Sequence, residues 1–262
     1  MSDNVTLKEA NVRAVTVCVD YADVAALTIP WNKPHFAEHW IVTTLEDKLT
    51  QEVAKANGCH VYLSGEFHHK GAEFAKWRAL EMALDRIGRH GWMLMLDADI
   101  AWPRDAGMRM EQAGIKLEVG KLYGANRRML LGADHQRALE VMPGEGSWSR
   151  LPLHHNVGEW AGYTQLFHAS DPALPKGHWH DTNWRSCGAS DSFFQQRWPP
   201  ALKVKLPFEV LHVGEAGVNW YGRSAPYLDG RPDHPEAAER LRKYKGLWRE
   251  RKISGFDKER IE

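Results

Sequence analysis

A chain of 262 residues with 34 Lys plus Arg against 34 Asp plus Glu has room for one large α/β domain or two small ones, and its core needs no disulfide or structural metal. The balanced charge excludes a global basic field, so any polyanion has to be met by a local patch. Three cysteines, Cys18, Cys59 and Cys187, are odd in number, far apart and without metal-ligand spacing, which excludes a disulfide framework, and no segment approaches the about 20 apolar residues of a membrane span. Reduced thiols and a soluble, cytoplasmic protein are the expectation.

The first eleven or so residues are polar and are expected to fray. Residues 14–19, Ala-Val-Thr-Val-Cys-Val, are apolar and β-branched, so they predict a central strand, which runs into the acidic loop Asp20-Tyr21-Ala22-Asp23. Asp23 is placed to cap a helix through about residue 30, and Pro34 breaks whatever follows. A second strand is expected at 41–44, a helix at 46–57 closed by Asn57-Gly58, and a third strand at 59–63. This alternation implies parallel pairing through right-handed crossovers, with helices on both faces of the sheet.

After Phe67-His68-His69-Lys70, Gly71 precedes a helix to about residue 89, whose apolar positions Phe74, Trp77, Leu80, Leu84 and Ile87 share one face. Lys70, Lys76 and Arg78 lie near its start or on its other face; a helix N-terminus with nearby cations suits phosphate, but for any one of them an ordinary solvated charged face is the simpler reading. The unbroken apolar run 92–96 then predicts a strand buried on both faces, delivering Asp97 and Asp99 to its carboxyl end. Ligands of open α/β sheets collect at that edge, where paired acids can hold a divalent cation. The alternative is a solvated turn with a helix cap.

In the second half, 121–128 reads as a strand leading into a polar, basic loop with Asn126 and Arg127 as weak site candidates. A loop follows over 143–155, where His154-His155 lacks the spacing of a zinc site. Residues 162–168 alternate as a strand does, and 175–185 is too rich in His, Trp, Lys and Asp for a core, so it is expected to be an exposed or site-lining loop. Ser190 or Asp191 opens a helix whose apolar side starts at Phe193. A strand at 206–213 carries His212, either a core histidine or a ligand, and leads to Asn219 and Arg223, polar groups suited to a diphosphate. Residues 226–235 read as a linker and 235–251 as a charged helix with Leu241, Tyr244, Leu247 and Trp248 as a docking stripe. Its basic residues, Arg240 to Lys252, suit the phosphates of a polyanion or simply face solvent. The 12 tryptophans serve sugars and bases as well as a core, so composition does not choose between them.

No Gly-x-Gly-x-x-Gly follows the first strand and no phosphate loop occurs. The β-α-β-α-β start, Lys70-Gly71 before an amphipathic helix, and Trp-Met-Leu-Met-Leu-Asp-Ala-Asp-Ile with a proline shortly after resemble the nucleotide-sugar glycosyltransferases of the GT-A fold, over roughly residues 12–225. The resemblance implies a single α/β domain over 1–225, its mostly parallel, Rossmann-like sheet flanked by helices. The donor half is about 12–130 and the acceptor half about 131–225, with 226–262 as a C-terminal helical extension. It implies that Asp97, Asp99 and His212 hold Mn2+ or Mg2+, with Asp97 also at the diphosphate of a UDP-sugar beside Lys70, Lys76, Asn219 and Arg223. Asp20 and Tyr21 receive the nucleoside. In inverting members a carboxylate opening a helix takes the acceptor's hydroxyl proton; Asp191 fits, with Asp181 in reserve, and a retaining reaction would give Asp191 a different role.

Leu-His-x-Gly followed by Asn-Trp-x-Gly-Arg is also similar to glycosyltransferases of bacteriophages, some of which act on hydroxymethylated bases of DNA. This resemblance implies modified DNA as one acceptor, with the host cytoplasm as the location if the chain is phage-encoded; a saccharide or small molecule is the other acceptor, and no obligate protein partner is evident. Two rivals belong to other classes. A nucleotidyltransferase needs a glycine-rich, basic loop where Asp20-Tyr21-Ala22-Asp23 stands, and a non-catalytic carbohydrate- or nucleic-acid-binding module accounts for the tryptophans without chemistry.

Overall fold

The computed structural model describes residues 5–72, 74–130, 135–143, 145–153, 160, 162–183, 190–213, 227–228 and 231–232. In chain order they form β1 (Arg13–Val17), α1 (Ala22–Asn32), β2 (Glu38–Thr43), α2 (Lys48–Ala56), β3 (His60–Leu63), α3 (Lys76–Ile87) and β4 (Trp92–Leu96). There follow β5 (Ile100–Ala101), α4 (Ala106–Gln112), β6 (Leu122–Leu130), α5 (His135–Val141), β7 (Thr164–His168), α6 (Ser190–Gln195) and β8 (Lys203–Val213). The strands make one eight-stranded mixed sheet in the order β3-β2-β1-β4-β7-β6-β8-β5. β3, β2, β1 and β4 are parallel, as the early alternation implies. β7 runs antiparallel to both β4 and β6, and β5 antiparallel to β8, while β6 and β8 are parallel.

Alternation along the strands splits the core into two layers. Val15, Met93 and Met95 pack with Trp77, Leu80 and Leu84 of α3 on one face. Ala14, Leu94 and Leu96 point the other way, into a cluster with Trp102 and Tyr123. Ile41 joins α1 and α2 through Val24, Leu27 and Val53. Helices therefore cover both faces of the sheet, and no helix among the described residues is long and apolar enough to cross a membrane.

Several local expectations are corrected by tertiary partners. Asp23 lies in the first turn of α1 and does not cap it; the N-cap position is Tyr21, which makes no side-chain cap bond. The capping acid is Asp47, whose Oδ1 accepts from Thr50 N at 3.1 Å and Oδ2 from Asp20 N at 2.7 Å, so α2 starts at Lys48 and the loop after β1 is tied to it. α1 continues past Pro30 because Trp31 and Asn32 are anchored: Trp31 Nε1 donates to Trp102 O and Asn32 Nδ2 to Ile100 O, each at 2.6 Å. Asn126, Arg127 and Arg128 lie within β6, not in a loop, since Glu209 on β8 accepts two bonds from Arg128 at 2.6 and 2.7 Å. The loop around residue 180 is only partly exposed: Trp179 and His180 are buried at 2% and 3%, because Glu81 supplies His180 with an acceptor. α6 turns Phe194 inward, 1% exposed, and leaves Phe193 at 55%, so its apolar side starts one residue later than the pattern implies. Cys187, His154, His155 and the predicted 235–251 helix lie outside the described residues.

Buried histidines make the fold acid-sensitive. His39 on β2 has its Nε2 2.9 Å from Thr16 Oγ1 and is pushed down from 6.5 to about 3, by burial first and then by Lys33; burial and Arg104 push His35 to about 4. A histidine held neutral in the fold but protonated when unfolded contributes stability that is complete above the unfolded value, about 6.5, and is lost as pH falls towards the folded one. Folding stability is therefore expected to fall between about pH 7 and pH 4.5, by about 1.4 kcal/mol per pH unit and fully buried group, and the melting temperature with it. His39→Gln, which can keep the bond to Thr16, is expected to flatten this slope; an unchanged slope by melting curves would reject His39 as its source.

Candidate active site

The chain leaves β1 towards β2 on one side and returns to β4 on the other, so a crevice opens at the carboxyl ends of β1 and β4. The Asp97-Ala98-Asp99 turn sits there, fixed by its backbone. Asp97 N donates to Tyr163 O at 3.1 Å, Val213 N to Asp99 O at 2.7 Å, and Thr28 Oγ1 to Ala98 O at 2.6 Å, so the residue before β7, the end of β8 and α1 all hold it. The short β5 follows at once and pairs with β8 in the register Ile100 opposite His212. This pairing brings His212 Nε2 to 3.3 Å from Asp99 Oδ2, with side-chain exposures of only 7% and 5%. His212 Nδ1 is buried and has no hydrogen-bond partner among the described residues.

Three further groups complete the cluster. Lys76, the first residue of α3, places Nζ 2.5 Å from Asp97 Oδ1 and 4.8 Å from the Trp77 ring centre. Arg127 is buried with its guanidinium 4.6 Å from the Tyr163 ring centre. Asp191, in the first turn of α6, has its Oδ2 held by Gly162 N at 2.9 Å, and Gln165 Nε2 bridges Trp160 O at 2.6 Å and Asp191 O at 3.4 Å. Only a glycine fits at position 162, because a methyl there would lie 2.5 Å from Asp191 Cβ and 2.7 Å from Oδ2.

The charges act on one another. Burial pushes the Asp97 carboxyl up, Asp99 and Asp191 push the same way, and Lys76 opposes them. Burial also works to raise Asp99, but His212, Arg127 and Lys76 together hold it below the usual carboxylate range. The two neighbouring acids are thus pushed in opposite directions, Asp99 down by His212 and Asp97 up by its burial, with Lys76 opposing.

The structure brings Asp97, Asp99, His212, Lys76 and Asp191 together, and Arg127 joins them. Tyr21 instead packs in the apolar cluster with Val24 and Ala25, at 6% exposure, so the loop after β1 offers Asp20 and backbone rather than an open ring. Lys70 is exposed, in the left-handed region at φ 51°, and no bond ties it to the acids; Arg78 pairs with Glu66 at 2.5 Å. Asp181 is exposed and spends its Oδ1 on Asn183 N and Nδ2, at 2.8 and 2.9 Å. Asn219 and Arg223 lie outside the described residues. Gly162 and Asp47 were missed by sequence reasoning, since neither stands in a motif and each matters only through a partner remote in the chain.

Among the described residues, no three His, Cys, Asp or Glu side chains stand ready as a metal site. Asp99 and His212 already face each other, and Asp97 faces Lys76. The donor chemistry of two carboxylates and one imidazole nonetheless fits a divalent ion of the manganese type.

Fold and site together define an α/β protein with a charged cluster at the carboxyl edge of a mixed sheet. No family model and no curated protein matches the chain. Similar solved structures include glucosyl-3-phosphoglycerate synthase from Mycobacterium tuberculosis in complex with Mn2+, UDP and glucosyl-3-phosphoglycerate, at TM-score 0.49 and 13% identity over 80% of this chain and 75% of that one. Another is mannosyl-3-phosphoglycerate synthase from Rubrobacter xylanophilus, at 0.45 and 15% over 96% and 77%. A third is the mannosyltransferase PcManGT from Pyrobaculum calidifontis in complex with GDP-Man and Mn2+, at 0.44 and 15% over 90% and 69%. Likenesses this distant carry no chemistry over to this chain, whose function has to rest on its own residues.

Proposed function

We propose that the chain is a metal-dependent glycosyltransferase of the GT-A type that moves a sugar from a nucleoside-diphosphate donor, a UDP-sugar, to an acceptor hydroxyl. The observation that carries this reading is the union, at one sheet edge, of an acid pair with a late-strand histidine, two cations and a separately held third carboxylate.

Asp97, Asp99 and His212 would hold Mn2+ or Mg2+, which when bound supplies a Lewis acid for the charge developing on the leaving diphosphate. Lys76 and Arg127 bring positive charge to the same phosphate oxygens. Asp20 and the backbone of its loop line the side where the nucleoside enters. Asp191 accepts the proton of the acceptor hydroxyl as that oxygen bonds to the anomeric carbon and the carbon–diphosphate bond breaks, which inverts the centre. Gly162 N–H sets the direction of the carboxylate, so the base does not have to be found by rotation. As acceptor we favour a hydroxymethylated base of DNA, a reading supported by the basic residues of 240–252.

Thermal melting with UDP, with and without Mn2+, tests the reaction class. A rise in melting temperature caused by UDP only when Mn2+ is present is expected, and Asp99→Ala should fold but lose it. No shift in either condition removes the proposal in favour of a binding module without this chemistry. Release of UDP from a panel of nucleotide sugars, with and without hydroxymethylated DNA, then separates the DNA acceptor from a saccharide or small molecule.

A further inference from the structure

Lys76 is more than one more cation near a phosphate site. Its ammonium is in direct contact with Asp97 Oδ1, at 2.5 Å, with the lysine side chain 16% exposed. The backbone beneath it is pinned: Ala75 N donates to Phe67 O at 2.6 Å and Lys76 N to Phe74 O at 2.7 Å. The next residue, Trp77, is 1% exposed and stacks on His180 at 4.5 Å, so the start of α3 is anchored. Three carboxylates, Asp97, Asp99 and Asp191, interact at this edge, and Lys76 is the group that pairs with the first of them.

Resting on the glycosyltransferase reading, we infer that Lys76 is an internal counter-ion that holds Asp97 until a nucleoside diphosphate arrives, making metal binding conditional on the nucleotide. A divalent ion that uses the Asp97 carboxylate places a second cation beside the ammonium already paired with Oδ1, and the two repel. The ammonium has three donors and no acceptor, and beside a divalent ion it is in need of an anion. The diphosphate of the donor supplies that anion within reach of the same crevice. Metal and nucleotide therefore tighten one another, and by linkage each does so by the same factor. The site stays charge-compensated without its ligands and binds a metal alone only weakly.

The test is equilibrium binding of Mn2+, read from the paramagnetic resonance signal of the free ion, with and without UDP. In the wild-type protein UDP should tighten Mn2+ binding about tenfold or more, within the usual span of coupling between sites. Lys76→Met should bind Mn2+ alone about tenfold more tightly than wild type and lose most of the coupling to UDP. Lys76→Gln gives the same reading should the methionine variant fail to fold. An unchanged affinity for Mn2+ alone overturns the inference. So does a gain of affinity with the UDP coupling intact, which is a general charge effect. If the wild-type protein binds no Mn2+ even with UDP, the glycosyltransferase reading falls and this inference with it.

Discussion

Replacing Asp191 by Asn should lower the rate of sugar transfer by about 10²–10⁴-fold while leaving the binding of UDP with Mn2+ at its wild-type level. The split follows from where the carboxylate sits. Asp191 acts on Asp97 through charge, which places it at the same crevice, while its Oδ2 accepts from Gly162 N, next to the Tyr163 carbonyl that holds Asp97 N. It can serve the acceptor without holding the donor. Gly162→Ala reaches the same end with every reacting group intact, because the added methyl meets Asp191 Cβ at 2.5 Å and the carboxylate has to move. Displacement of a reacting group by about 1 Å costs about 10²-fold, so a fall of that order in kcat with an unchanged KM for the donor is expected. Steady-state kinetics of UDP release measures both. Turnover of the asparagine variant within a few-fold of wild type would place the base elsewhere, and a parallel loss of donor affinity would put Asp191 in the donor site.

The features legible in the sequence are those decided locally. β4 spans the expected residues because an unbroken apolar run between a glycine turn and two acids leaves no other choice of strand. The inward face of α3 follows from its spacing in the same way, with Trp77, Leu80, Leu84 and Ile87 all buried. The place of the two acids at the end of β4 follows from the apolar run before them, whereas His212 entered as a ligand only through the resemblance to GT-A glycosyltransferases. What the sequence does not disclose depends on partners distant in the chain. β7 is inserted antiparallel between β4 and β6, and nothing in its alternation states a direction. The basic run in β6 looks like a loop until the Glu209 side chain on β8 takes up Arg128. Lys76 is visible as a cation, but its choice of Asp97 over solvent requires the start of α3 to be set against the end of β4.

Glu81→Ala should cost about 3–5 kcal/mol of stability, the loss expected when one partner of a buried ionic network is removed. Glu81 lies on α3 at 0% exposure, and its Oε1 accepts from His180 N at 2.8 Å and lies 2.8 Å from His180 Nδ1, while Oε2 accepts from Arg89 Nη2 at 2.5 Å. His180 is clamped between the rings of Trp77 and Phe194, at 4.5 and 4.6 Å, so it cannot follow its backbone N–H to another acceptor. Arg89 keeps 18% exposure and can turn to water, which leaves the unpaired His180 groups as the larger part of the cost. Glu81→Gln retains an acceptor for His180 and should lose less. Burial works to raise the Glu81 carboxyl, but His180 and Arg89 hold it below its usual value of 4.5. Its contribution is therefore complete above that value and lost as pH falls towards the folded one, so the alanine penalty should shrink in acid. Urea denaturation at neutral pH checks the size: a shift of midpoint with the slope unchanged is expected, and a loss below about 1 kcal/mol would show that the network adds little. Phe194 belongs to the helix whose first turn carries Asp191, so a folded Glu81→Gln protein should also lose turnover before it loses binding of UDP with Mn2+.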